Sequence, residues 1–247
     1  MDRSLVDELP PPLPAEQILA VNPPRNDLHT TRSYTWNGWD FDVPPGVFLP
    51  GGTSRMIHQR ILDDDIDVRG RRYAAMGVGL GVEAVAAGAR GAAEVHAIDV
   101  HAPSVEAAVR NFDRLLGGDA APEEPDRRTP TRLVPWVSDV FAGLPDHTRL
   151  DVVTFNPPAV SQSTSTDPDV VRNVCVGAPI TAAFFTQLRE RPLLAPGADV
   201  YLIVSNTADL RRIAAHAEDS GFTGAVHHRH DWGDGVLTYL FRFQKAA

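Results

Sequence analysis

The chain has a single cysteine, Cys175, among its 247 residues, so it cannot form an internal disulfide. Such scarcity is typical of proteins from a reducing compartment. No stretch approaches the ~20 apolar residues that a membrane-spanning helix needs. The first residues, MDRSLVDELPPPLP, do not have the pattern of a secretory signal peptide. We therefore expect a cytoplasmic protein with no membrane partner.

A run of lysines or arginines is also absent, and the formal net charge is −9, from 32 acidic and 23 basic residues. A protein that binds a polyanion normally presents a basic face. We therefore do not expect nucleic acid as a partner. The hydrophobic content of 43% is ordinary for a soluble globular enzyme.

The chain divides into three regions. Residues 1–32 are rich in proline and acidic residues, which predicts an arm that lies on the surface or stays mobile. Residues 33–54 hold two of the four tryptophans and predict a short ordered lead-in. Strand and helix patterns alternate through 55–247, which predicts a parallel sheet covered by helices on both faces. Two late strand patterns predict an antiparallel hairpin at one edge.

A glycine-rich turn follows the first strand pattern of this region. Gly77, Gly79 and Gly81 alternate along the chain, so the backbone can turn tightly and approach a ligand at the start of a helix. A dinucleotide-binding fingerprint would place its third glycine at position 82, where the chain has Val82. Alternating glycines alone also fit a simple tight turn.

Polar residues follow the next three strand patterns. Asp99 ends one of them, Asp139 follows another, and Asn156 comes before two prolines at the end of a third. Ligands of open α/β sheets bind beyond the carboxyl ends of the strands, where a carboxylate can accept both hydroxyls of a ribose. Asp139 has an alternative role, because an acid after a strand often caps the next turn.

Four segments in this order, GVGLG, AIDVHAPSVEAAVRN, SDVF and DVVTFNPPA, resemble the class I S-adenosylmethionine-dependent methyltransferases. More narrowly, they resemble the group related to release-factor glutamine methyltransferases and amino-methylating RNA and DNA enzymes. The resemblance covers roughly residues 45–245. It implies a doubly wound, seven-stranded, mostly parallel sheet with a C-terminal antiparallel hairpin, and S-adenosylmethionine as the cofactor. GVFLPGGTS, at 46–54, looks like the segment that closes over the cofactor in that group.

The resemblance also implies roles for individual residues. The glycine-rich turn would lie under the methionine part of the cofactor, and Asp99, followed by Val100, would hold the ribose hydroxyls. Asp139 would accept from the adenine amino group, with the Val140 backbone against the ring. Asn156, next to the cofactor, and the Pro157 carbonyl would accept hydrogen bonds from an acceptor N–H. Such acceptors orient a planar nitrogen toward the sulfonium methyl without a strong base.

Two positions depart from the pattern of that group. Ala75 stands where an acid is usual, so other groups must recognise the methionine end of the cofactor. Ala159 stands where an aromatic residue usually stacks on a flat acceptor. Either the acceptor is not a flat base, or another aromatic residue covers it, and the candidates are Tyr34, Trp36, Trp39 and Phe48.

Together with the acidic net charge, the alanine at 159 leads us to expect N-methylation of a small molecule. The alternatives within the class are methylation of a protein glutamine or a nucleic-acid base amine, and O- or S-methylation of a metabolite. An NAD-dependent oxidoreductase and a non-catalytic cofactor-binding module are alternatives from other classes. We expect no metal site, because His228 and His230 share a strand face but no cysteine or carboxylate completes a tetrad.

Overall fold

The computed structural model describes residues 4–23, 27–117 and 131–246. Its helices are α1 (Leu5–Glu8), α2 (Ala15–Val21), α3 (Gly52–Leu62), α4 (Val82–Ala89), α5 (Ala102–Leu116), α6 (Pro168–Val174), α7 (Ala178–Glu190) and α8 (Leu210–Asp219). Its strands are β1 (Arg32–Trp36), β2 (Trp39–Val43), β3 (Arg72–Met76), β4 (Glu94–Asp99), β5 (Arg132–Val137), β6 (Leu150–Phe155), β7 (Leu194–Ser205), β8 (Phe222–Asp231) and β9 (Leu237–Lys245).

Seven strands form one sheet in the order β5-β4-β3-β6-β7-β9-β8. The pairs from β5 to β7 are parallel, and β9 pairs antiparallel with both β7 and β8. The predicted fold class is therefore confirmed. Strand order reverses between β3 and β6, and in such sheets a ligand crevice opens at that point, beyond the carboxyl ends of the strands.

The sheet has a buried apolar layer on each face, as the alternation of side chains along β3 illustrates. Ala74 and Met76 pack into the layer formed with α1, α7 and α8. Tyr73 and Ala75 point the other way, into the layer formed with α3, α4 and α5. Because both faces are covered, the central strands β3, β4 and β6 are buried almost throughout, as expected for a parallel sheet.

The predicted aromatic lead-in is a two-stranded hairpin of β1 and β2. Asn37 and Gly38 connect the strands, with φ of 51° and 76°. Positive φ at both central residues defines a type I′ turn, for which Asn-Gly is the favoured sequence. That dipeptide, between Trp36 and Trp39, was the signal in the sequence that could have predicted the hairpin.

Part of the N-terminal arm is packed against the domain. Leu5 and Leu9 are buried in the layer that contains α8. The Nε of Arg211 donates to the carbonyl of Leu9 at 2.7 Å, and Leu13 N donates to the carbonyl of Asn206 at 2.8 Å. The described arm therefore lies on the domain surface. The proposed boundaries at 32 and 54 stay predictions, and the second of them falls inside α3.

Within the described ranges, no helix is long and apolar enough to cross a lipid bilayer.

Candidate active site

A cavity of about 620 Å³ opens at the carboxyl edge of the sheet. The predicted site residues that line it come from separate strand ends and the lead-in: Phe48, Gly77, Gly79, Asp99, Val100, Asp139, Val140, Asn156, Pro157 and Ala159. The fold therefore brings most of the predicted residues to one place. Their individual roles stay predictions.

The glycine-rich turn has the backbone that its sequence predicts. Gly77, Gly79 and Gly81 have φ of 67°, 53° and 93°, which L side chains rarely adopt. Gly81 differs from the others in its surroundings, because a Cβ there would lie 2.8 Å from the Cα of Ala108. The structure therefore explains Gly81 by the close packing of α4 on α5, whereas Gly77 and Gly79 line the cavity.

Asp99, at the end of β4, is held by two backbone donors. Gly79 N donates to its Oδ2 at 3.1 Å, and His101 N donates to its Oδ1 at 2.9 Å. Burial raises the pKa of Asp99, although both hydrogen bonds oppose that effect. Each carboxylate oxygen keeps acceptor capacity, so a fixed pair of acceptors faces the cavity.

In the turn after β5, Ser138 caps the backbone and leaves the carboxylate of Asp139 without that role. Ser138 Oγ accepts from Gly143 N at 2.8 Å, which satisfies the turn. In the described part of the chain the exposed side chain of Asp139 has no hydrogen-bond or ion-pair partner, which favours ligand binding over capping. Val140 is buried with φ of 51°, an unusual backbone conformation for a β-branched residue.

Asn156 follows β6 and is oriented by Ser54, in the first turn of α3. The amide Nδ2 of Asn156 donates to Ser54 Oγ at 3.0 Å. No described residue donates a hydrogen bond to Oδ1 of Asn156. Because the amide is planar, fixing Nδ2 also fixes Oδ1, and this oxygen remains available to a ligand N–H. Ser54 itself lines the cavity and was not among the predicted residues.

The two prolines after Asn156 fix the backbone around it. The carbonyl of Pro157 accepts from Ala159 N at 2.7 Å, and the carbonyl of Pro158 accepts from Gly177 N at 3.1 Å. The Pro157 carbonyl therefore already has one donor. A second lone pair remains for the role that the resemblance gives it.

Of the four aromatic residues predicted to cover an acceptor, Phe48 lines the cavity, whereas Tyr34 does not. Trp36 and Trp39 do not belong to the lining, and Trp36 packs edge-on against His58 with ring centroids 5.2 Å apart. Trp232, in the connection between β8 and β9, does line the cavity and is 41% exposed. Its Nε1 donates to Thr238 Oγ1 at 2.8 Å, which fixes the ring.

Two further lining residues are ionisable: His58 is buried and Glu83 is partly buried. Sequence reasoning missed Glu83 because an acid in the first turn of a helix ordinarily interacts with the helix dipole. Here the Glu83 side chain instead accepts hydrogen bonds from Tyr73 and Thr154 of the sheet. Burial raises its pKa to about 7 and lowers the pKa of His58 to about 3.

The charged residues in the lining of the cavity are mostly acidic. Among the described residues that line it, the carboxylates are Glu83, Asp99, Asp139 and Asp234, whereas Arg172 is the one arginine or lysine. Arg172 pairs with Asp169 and donates to the carbonyl of Gly46 at 2.8 Å. The lining therefore offers little positive charge to an anion.

A possible metal cluster lies outside the lining of this cavity. Ligand atoms of His29, Asp167 and Asp169 lie within 4.8 Å of one another. His29 Nε2 is 2.6 Å from Asp167 Oδ2, and Asp169 pairs with Arg172. Exposed acidic groups of this kind are common without an ion, so we assign no metal to them.

No protein-family model matches the chain, and no curated protein matches it. Solved structures do match its fold. They include the ribosomal protein L11 methylase of Lactobacillus delbrueckii subsp. bulgaricus, at 16% identity, 83% coverage of this chain, 84% coverage of the other and a TM-score of 0.57. The E. cuniculi Mtq2–Trm112 complex, responsible for methylation of the termination factor eRF1, matches at 15% identity, 81% and 99% coverage and a TM-score of 0.53.

A third match is the T. thermophilus 16S rRNA N2 G1207 methyltransferase RsmC, in complex with AdoMet and guanosine. It has 19% identity and a TM-score of 0.60, and the alignment covers 91% of this chain but about half, 52%, of that one. At these identities the matches show the fold, which is that of Rossmann-like methyltransferases.

These comparisons correct our expectation about the acceptor. The matched proteins act on ribosomal protein, a termination factor and rRNA, and one of them is in a complex with a partner protein. A small-molecule acceptor conflicts with this set and is withdrawn. The net charge of −9 is also insufficient to exclude nucleic acid, since a charge summed over the chain does not describe one face.

Proposed function

We propose that the protein is an S-adenosylmethionine-dependent methyltransferase that N-methylates a protein side chain. The observation that carries the proposal is the orientation of Asn156. Ser54 accepts from Nδ2 of Asn156, a residue that lines the cavity, and Oδ1 would then accept a hydrogen bond from a substrate N–H. The strand ends that would hold a nucleoside line the same cavity.

The residues present fit this cofactor. Asp99 would accept from the ribose hydroxyls, and its two backbone donors hold the carboxylate in place for that contact. The unpaired side chain of Asp139 would accept from the adenine amino group. Gly77 and Gly79 leave room for the methionine part, where a side chain would intrude. When bound, S-adenosylmethionine supplies an electrophilic methyl group on a sulfonium.

The protein would contribute to catalysis by orienting the acceptor nitrogen. Oδ1 of Asn156, with the Pro157 carbonyl beside it, would accept hydrogen bonds from the acceptor nitrogen and direct its lone pair toward the methyl group. Two adjacent prolines restrict the backbone that carries these acceptors. Preorganised polar contacts of this kind account for much of the rate in enzyme sites, and no strong base is required.

The charge of the cavity favours protein over RNA as the acceptor. Among the described residues, four acids and one arginine line it. A phosphate backbone close to this lining would be repelled, whereas a neutral amide or an amine would not. The match to RsmC with guanosine supports an RNA base amine as the second candidate.

Transfer of a radiolabelled methyl group tests the proposal. A cell extract is incubated with the purified protein and methyl-labelled S-adenosylmethionine, and aliquots are then treated with protease or with RNase. We expect the label to be lost with protease and kept with RNase, and to be absent with Asn156→Ala. Label lost with RNase would replace the protein acceptor by RNA, and no label in any fraction would contradict methyl transfer.

A further inference from the structure

Glu83 and His58 line the cavity but have no role in the proposal so far. Glu83 lies in the first turn of α4, and His58 lies one turn after Ser54 on α3. Their side chains are 12% and 3% exposed. Two ionisable side chains with so little exposure in a ligand cavity require a physical explanation.

The polar atoms of this pair are only partly satisfied. Glu83 Oε2 accepts from the hydroxyl of Tyr73 at 3.1 Å and from the hydroxyl of Thr154. Glu83 Oε1 lies 3.9 Å from His58 Nε2, which is too far for a hydrogen bond. His58 Nδ1 is buried with no partner in the described chain. A buried polar atom without a partner is costly, so a ligand donor would stabilise both.

The chemistry of Glu83 Oε1 and His58 Nδ1 indicates which kind of ligand donor would suit both atoms. His58 is neutral, because burial and then the charge of Arg55 lower its pKa to about 3. With its hydrogen on Nε2, next to Glu83, the ring presents Nδ1 as an acceptor. One neutral acceptor and one carboxylate oxygen together suit a group with several N–H donors and a positive charge. An ammonium group has both properties.

We infer that Glu83 and His58 bind the ammonium group at the amino-acid end of S-adenosylmethionine. This inference rests on the proposed function, because that cofactor is the ligand that would bring an ammonium group into the cavity. Thr154, which holds the other oxygen of Glu83, is the register partner of Ala75 on β3. Ala75 offers only a methyl group there, whereas Glu83 brings a carboxylate from α4 to Thr154 on the neighbouring strand.

Binding at this subsite would also move a proton. The groups that face Glu83 are Tyr73 on β3, Thr154 on β6 and His58 on α3, with Arg55 acting on His58. None of them places a full positive charge on Glu83, and its pKa is about 7. A fraction of the free protein is therefore protonated at this carboxyl near neutral pH. A bound ammonium would lower that pKa and release the proton.

Calorimetric titration of the full chain with two ligands tests the inference. S-adenosylhomocysteine carries the ammonium group, and 5′-methylthioadenosine lacks the amino-acid end. For Glu83→Gln we expect affinity for S-adenosylhomocysteine to fall on the order of 10- to 100-fold. Affinity for 5′-methylthioadenosine should stay unchanged. Glu106→Gln is the matched control, since Glu106 is exposed on α5 and outside this cavity.

A measurement on the unaltered protein keeps the test independent of how the variant folds. Titrations at pH 7 in buffers of different ionisation enthalpy should show proton release with S-adenosylhomocysteine and none with 5′-methylthioadenosine. Equal proton release with both ligands, or equal loss of affinity for both in Glu83→Gln, would overturn the inference alone. If the unaltered protein bound neither ligand, the proposed function would fail as well.

Discussion

At the scale of single residues, the proposal depends on one amide whose orientation is fixed from a distance. Asn156 and Ser54 are 102 positions apart in the chain, yet their side chains are joined by a hydrogen bond of 3.0 Å. That contact explains why an asparagine at the end of a buried strand can present its oxygen to a ligand. A serine in the first turn of α3 thus fixes the amide that the proposed function places at the reaction centre.

We expect Asn156→Ala to reduce turnover by roughly 10²- to 10³-fold, the range for losing one preorganised polar contact at a reaction centre. Asn156→Asp should be milder, because a carboxylate still accepts the hydrogen bond. Ser54→Ala should lie between Asn156→Ala and the unaltered protein, since it removes only the orienting contact. Single-turnover methyl transfer measures all three, with calorimetric affinity for S-adenosylmethionine as the control. Full activity of Asn156→Ala would refute its role.

The residue scale also shows the limits of sequence reasoning. Asp99, Asp139 and Asn156 were predictable because each follows a strand pattern, and strand ends of a parallel sheet meet at one edge. Glu83 and Trp232 were not, because their significance depends on contacts between segments that are distant in the chain. Glu83 reads as an ordinary first-turn acid until the structure places it against Thr154.

At the scale of elements, the connection between β8 and β9 completes the cavity by packing on the start of α3. A Cβ at Gly52 would lie 2.4 Å from Cη2 of Trp232, so the indole rests directly on a glycine backbone. Gly52 has no positive φ, which leaves this contact as the reason for a glycine there. The sequence predicted two antiparallel strands here but not that their connection would reach the site.

Gly52→Ala should therefore displace the Trp232 ring and shift tryptophan emission to longer wavelength as the indole becomes more exposed. Gly51→Ala is the matched control, because a Cβ there would have nothing within 4 Å and the φ of −98° is ordinary. Emission spectra of the two variants, with Trp232→Phe to assign the signal, provide the measurement. Identical spectra for both alanine variants would contradict the packing of Trp232 on α3.

Some of the other helices and strands could also be predicted from the sequence, and some could not. The alternating strands and helices of the domain were read correctly, since buried strands are continuous apolar runs and α5 carries a clear apolar stripe. The short helices α1, α2 and α6 were missed because prolines surround them and their stability comes from tertiary packing rather than helix propensity.

At the scale of the whole molecule, the described N-terminal arm is part of the packed structure. Leu9 is 2% exposed and belongs to the same buried layer as α7 and α8. Val21, Asn22 and Pro23, at the far end of the arm, line the cavity. The arm thus connects the buried layer on one face of the sheet with the wall of the candidate site.

Leu9→Ala should lower the free energy of unfolding by about 2–4 kcal/mol, through lost apolar burial and the cavity left behind. Leu19→Ala is the control, because Leu19 on α2 is 46% exposed and should change stability by no more than about 0.5 kcal/mol. Urea denaturation of both variants provides the comparison. Equal midpoints would show that the arm does not contribute to the stability of the domain.

The central claim is that the cavity at the carboxyl edge of the sheet binds S-adenosylmethionine through Asp99. Calorimetric titration with that cofactor, and separately with NADH, tests it most directly. We predict one saturable site for S-adenosylmethionine, no heat of binding for NADH, and a loss on the order of 2–4 kcal/mol of cofactor affinity in Asp99→Ala. Binding of NADH instead, or an affinity for S-adenosylmethionine that is unchanged in a folded Asp99→Ala variant, would contradict the account.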